Sequence, residues 1–131
     1  MKLPAVEGLR IARTNRSVEN VMERLRALAR EKGLTEFAHI DFSADAARSG
    51  LGLPPTAMLI LGDPKSGTPL MISARTVAID LPLKVLAWSD AEATFVAYNE
   101  PDYLQKRHGF APDLAQNIAG LATLVVKAAG D

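Results

Sequence analysis

The sequence predicts an α+β fold, a mostly antiparallel sheet with two long helices packed on one face. Three observations carry this. Residues 17–32 and 112–129 set apolar side chains three and four positions apart, the spacing of a single helical stripe. Short apolar and β-branched runs fill the rest, with a hairpin-like pair around residue 90. Strands and helices do not alternate as regularly as a doubly wound parallel sheet requires.

Gly8 to Thr14 opens the chain as a strand, with Leu9 and Ile11 alternating with Arg10 and Ala12. Ser17 caps the first helix, whose stripe is Val18, Val21, Met22, Leu25, Leu28 and Ala29. Gly33 follows Lys32 where a C-cap glycine belongs. Thr35 to Phe42 reads as a second strand, with Ala38, Ile40 and Phe42 on one side. A short helix, Ser43 to Arg48, stops at Ser49-Gly50, and Leu53-Pro54-Pro55 makes an extended lead-in.

Ala57 to Leu61 is wholly apolar and ends at the turn Gly62-Asp63-Pro64, which predicts a central, buried strand. Thr68-Pro69 then starts a helix, with Thr68 as its cap. Ala78 to Leu81 is a strand that Pro82 interrupts, and Leu83 to Trp88 pairs as a hairpin with Thr94 to Tyr98 across Ser89-Asp90-Ala91-Glu92. Pro101 opens a short helix, Asp102 to Arg107, which ends at Gly109. The last helix runs from Pro112 to Ala129.

Composition bounds the function. The 131 residues suffice for one domain, 1–131, with no linker or repeat. Fifteen basic and fifteen acidic residues balance, which argues against a nucleic-acid partner relying on phosphate attraction. Residues 1–32 nevertheless hold eight basic and four acidic groups, the basic face of one helix, or else a surface for self-association or for an anionic ligand. With no cysteine there is neither disulfide nor thiolate chemistry, and two histidines give no metal-site spacing. No apolar run approaches a bilayer span, and charges break up the N-terminus where a signal peptide would be apolar. The expectation is a cytoplasmic protein with no membrane partner and no cofactor.

Nucleotide-loop, zincin and nucleophile-elbow motifs are all missing. Three polar segments remain. In Gly62-Asp63-Pro64-Lys65-Ser66-Gly67-Thr68, a helix start beside Asp63, Lys65 and Thr68 suits a carboxylate or phosphate; the plainer account is a shaped turn. Asp80 lies between apolar neighbours next to Pro82, with Lys84 either its ion-pair partner or a ligand group. Tyr98, Tyr103 and His108 form the third segment: Tyr98 and Tyr103 as pocket wall, His108 as acid or base or simply a helix cap. The leading reading is a non-catalytic domain that binds a small anionic ligand through Asp63, Lys65, Thr68, Asp80, Lys84 and Tyr98. A small enzyme with His108 and Asp80 as its acid–base pair is the second, and a structural or interaction module the third.

Several of these stretches together resemble the family known as domain of unknown function 302. They are Ser17-Val18-Glu19, Lys32-Gly33-Leu34, Phe37-Ala38-His39-Ile40-Asp41, Leu53-Pro54-Pro55-Thr56, Gly62 to Met71, Ala78 to Leu86, Tyr98-Asn99, Tyr103-Leu104 and Arg107-His108-Gly109. The resemblance implies a curved antiparallel sheet backed by two helices, often paired as a homodimer, and implies almost nothing about activity. The chain departs from the family pattern at Phe42 (usually histidine), at Ala74-Arg75 (often Asn-Pro) and at Asp63 (usually asparagine).

Overall fold

A computed structural model describes residues 3–130. Five antiparallel strands form one open sheet: β1 (Leu9–Thr14), β2 (Thr35–Asp41), β3 (Thr56–Gly62), β4 (Leu83–Asp90) and β5 (Ala93–Asn99). Their order is β1-β5-β4-β3-β2, so β1 and β2 are the edges. Between these edge strands the chain runs through α1 (Val18–Glu31), which crosses one face of the sheet. The hydroxyl of Ser17 accepts the Asn20 amide and starts α1 as expected, while Gly33, at φ +74, turns the chain out of it.

The core lies between this face and the helices. Ala57, Leu59 and Leu61 of β3, Val85 and Ala87 of β4, and Val96 and Tyr98 of β5 point towards Val21, Met22 and Leu25 of α1. The closing helix α5 (Leu121–Ala129) lies beside α1 and adds Leu121, Leu124, Val125 and Ala128. A second, smaller core joins the irregular segments. Leu70 of α3 (Pro64–Ser73), Val77, Leu104 of α4 (Pro101–His108), Phe110 and Ile118 pack together, and Leu83 touches both cores.

Several local expectations change. The helix after β3 starts five residues early: Asp63 caps it by accepting the Lys65 amide, Pro64 takes the first position, and Pro69 lies inside. Thr68 is therefore a residue of the second turn and not the cap. Both Asp63-Pro64 and Thr68-Pro69 join a cap to a first-position proline, and the earlier pair starts the helix, with Asp the better cap of the two.

Residues Arg75–Asp80 form a 3-10 turn where a strand was expected at Ala78 to Leu81, and the Leu81–Pro82 peptide is cis. Phe42 begins α2 (Phe42–Arg48) instead of ending β2, because the Asp41 carboxylate caps that helix through the Ala44 amide. β3 is an interior strand, but only alternate side chains are buried, since one sheet face carries neither of the two cores. The predicted last helix is two pieces, a 3-10 segment Pro112–Ile118 and α5, so α1 is the one long helix. Gly120 stands at the break, where its lack of a side chain lowers helix propensity.

Candidate functional site

Where β3 runs into α3, the two cores leave a cavity of about 560 Å³ between them. Each wall follows from local chemistry. Leu61 and Gly62 end β3, and the Asp63-Pro64 cap turns the chain so that Gly67 and Met71 of α3 line the cavity, with the exposed Thr68 at its rim. Leu81, Pro82 and Leu83 form the opposite wall. Lys32 and Leu34 enter from the end of α1, and Asn117, Ile118, Leu121, Thr123 and Leu124 from the broken last helix. A Cβ on Gly67 would stand 3.6 Å from Leu81 Cδ1, so the glycine leaves room without strain.

The lining is mainly apolar with a few polar groups, the usual composition of a small-molecule pocket. Asp63 is half-buried; its Oδ1 accepts the Lys65 amide at 3.0 Å, and its Oδ2 takes no hydrogen bond among the described residues. Asn117 donates from Nδ2 to the Ser66 carbonyl at 3.3 Å, which leaves its Oδ1 as an acceptor. No ion pair engages Asp63 among the described residues.

Of the residues named from sequence, only Asp63 and Thr68 line this cavity. Lys65 is exposed on α3. Tyr98 is packed in the main core against the helices. Lys84 donates to the Pro82 carbonyl at 3.1 Å and makes no ion pair with Asp80. The six ligand-binding candidates therefore do not form one site. Lys84 and Tyr98 part because strand side chains alternate between the two sheet faces, while Lys65 turns outwards on α3 and Asp80 sits in the 3-10 turn.

Asp80 and His108 do meet, outside the cavity. His108 Nε2 lies 2.5 Å from Asp80 Oδ2, and Arg107 donates to the same oxygen at 2.9 Å. On its other side, His108 Nδ1 lies 2.9 Å from the Thr76 hydroxyl. Assigning the proton to Nε2 makes Nδ1 the acceptor for Thr76, so every polar atom of the ring is paired. The order hydroxyl, imidazole, carboxylate is that of a nucleophile–base relay. None of the three lines the cavity, however, and their evident work is to clip the 75–80 turn to α4.

Two carboxylates have shifted acidity. Hydrogen bonding by Arg26 holds Glu36 below the usual carboxylate range, over a small opposing cost of burial, and Glu36 in turn raises Arg26. The Ala44 amide, with help from the Ser43 hydroxyl, does the same for Asp41. Both groups shape β2 and α2 and do not line the cavity. Asn117, Leu121 and Leu124 carry no sequence signal as site residues, because more than fifty positions separate them from Asp63. The one signal was Gly120, a helix-weakening residue in the middle of an otherwise good stripe.

The family model described as Domain of unknown function DUF302 matches residues 11–127. The chain belongs to this family. A crystal structure of an uncharacterized conserved DUF302 protein from Bacillus stearothermophilus superposes with a TM-score of 0.76. The match covers 95% of this chain and 97% of that one at 15% identity, a likeness of fold. Two curated relatives, both named fluoride-specific ion channel FluC 1, come from Brucella suis and Brucella abortus. Each is 39% identical over 129 residues, or 95% of this chain. The chain spans 51% and 48% of their lengths, about half of each. No helix among the described residues of this DUF302 domain is long and apolar enough to cross a membrane.

Proposed function

We propose that this DUF302 domain is a non-catalytic small-molecule-binding domain whose site is the cavity between α3, the Leu81-Pro82-Leu83 segment and α5. The observation that carries the reading is a cavity of about 560 Å³, apolar for most of its wall, with Asp63, Thr68 and Asn117 among its polar groups. That volume lies within the range of about 300–1,000 Å³ typical of ligand pockets. The ligand class differs from the anion expected from sequence. Asp63 already satisfies the start of α3, and its carboxylate repels a second negative charge.

The relatives named as ion channels place this domain type in chains about twice as long. In our reading, the domain's part in such a protein is to bind a small molecule, and ion conduction belongs elsewhere in the chain.

Native mass spectrometry of the freshly purified protein tests the reading, together with titration of the neutral dye Nile red. We expect a retained mass that is lost on denaturation, or saturable dye binding that Thr68→Trp blocks at the exposed wall. No retained mass and no saturable binding would overturn it.

Self-association as a homodimer is a second reading, favoured by the other face of the sheet. Ile11, Met58, Ile60, Leu86 and Trp88 share that face by register, are half-buried and belong to neither core. Trp88 leans on Phe95, with ring centroids 5.5 Å apart. Five strands about 4.8 Å apart and roughly 20 Å long offer a flat face of about 480 Å², somewhat more than half of the ~800 Å² per partner of a standard interface. A two-fold pair of such faces covers apolar side chains on both copies.

A further inference from the structure

We propose that the cavity takes a primary amine with an alkyl or arylalkyl body, bound as its ammonium ion with the charge at Asp63. This rests on the cavity being a ligand site, and it names the ligand's chemistry.

The argument begins with the balance of donors and acceptors. Asp63 Oδ2 takes no hydrogen bond from the described residues and is open to solvent, a charged acceptor beside a lining of Leu61, Leu81 and Leu83. Asn117 is held by its donor end, which leaves an acceptor. Thr68 adds a hydroxyl, which accepts as readily as it donates. With the Ser66 and Thr123 hydroxyls also in the lining, acceptors are available for the N–H donors of an ammonium group. An unpaired carboxylate next to apolar walls gains most from a cation, since charge-assisted hydrogen bonds are roughly twice as strong as neutral ones. An alcohol finds the same acceptors without the charge, and a carboxylate ligand meets Asp63 as a like charge.

Other cations fit less well. Quaternary ammonium groups are recognised by cages of aromatic faces, and Phe37 is the one aromatic residue in this lining. Lys32 is the one basic residue there, an exposed side chain at the end of α1 that solvent screens. The apolar wall extends from Met71 to Leu124 and needs a hydrocarbon body to fill it.

Isothermal titration of the full chain at neutral pH with decylamine, decanol and decanoate tests the inference. Nile red competition serves as an independent check that the cavity binds at all. We expect decylamine to bind about tenfold or more tighter than decanoate, with decanol between them. Asp63→Asn keeps a competent helix cap and removes the charge. It is expected to bring the amine's affinity down to that of decanol, with the melting temperature nearly unchanged. Equal binding of amine and carboxylate, or an amine preference that survives Asp63→Asn, overturns the amine and leaves the cavity standing if Nile red still competes. Failure of all three compounds and of Nile red overturns the cavity as a site, and the amine with it.

Discussion

Asp41 shows how much one side chain decides. The Ala44 amide donates to its carboxylate, which both ends β2 and starts α2. That bond favours the charged form, so the folded-state pKa lies below the unfolded value of about 3.9. Its contribution to stability is therefore fully present above about pH 4 and is lost as pH falls through the lower, folded value. An NMR titration should give a midpoint below 3.9 for Asp41; a midpoint at or above it contradicts the cap. Glu36 follows the same sign through Arg26, with contacts of 2.7 and 3.1 Å. This pair is more than a third exposed, so Glu36→Gln should cost only about 0.2–1 kcal/mol, and less in high salt. Asp80 matters more, because it pairs with both His108 and Arg107 and is largely buried. Asp80→Asn should lower stability by about 1–3 kcal/mol in urea unfolding. A loss below about 0.5 kcal/mol would mean that the clip is ornamental.

Glycines decide how elements begin and end. Gly8 and Gly33 both have positive φ, at +83 and +74, but their surroundings differ. A Cβ on Gly33 meets nothing within 4 Å, so Gly33→Ala should cost only the left-handed backbone, about 1–2 kcal/mol. A Cβ on Gly8 would stand 2.4 Å from the Tyr103 ring, where the start of β1 passes under α4. Gly8→Ala should therefore cost about 1–3 kcal/mol more than Gly33→Ala, through overpacking. Adding Tyr103→Ala should recover part of that excess; additive losses would show that the ring is not the cause. Within α3, Gly67→Ala should stabilise by about 0.5–1 kcal/mol, since its Cβ makes ordinary contact with Leu81. The same methyl narrows the cavity, so stability should rise while Nile red affinity falls. This opposite movement is what a cavity kept open for a ligand predicts.

At the level of the molecule, the sheet has two faces of different character. One is sealed by α1 and α5, and the other leaves Trp88, Met58 and Leu86 half-buried. Sedimentation equilibrium should find a dimer that Trp88→Glu converts to monomer without loss of the fold, because a charge on that face opposes a second copy. A wild-type monomer at tens of micromolar would remove the pairing and leave the cavity untouched.

By itself, the sequence determined the α+β class, the limits of α1, β3 and α4, the β4–β5 pairing and the family resemblance. These rest on signals that act within a few residues: the Ser17 cap, the Gly33 and Gly109 exits, and the apolar run from Ala57 to Leu61. Tertiary structure decided what such signals cannot carry. The final helix broke at Gly120, and its two pieces joined different cores. Asp80 found His108 and not Lys84, across 28 residues. A cavity is assembled from segments distant in the chain, so Asp63, Leu81, Asn117 and Leu124 become neighbours only once the two cores have packed. Burial is settled by that packing, and with it which carboxylates stay free to bind.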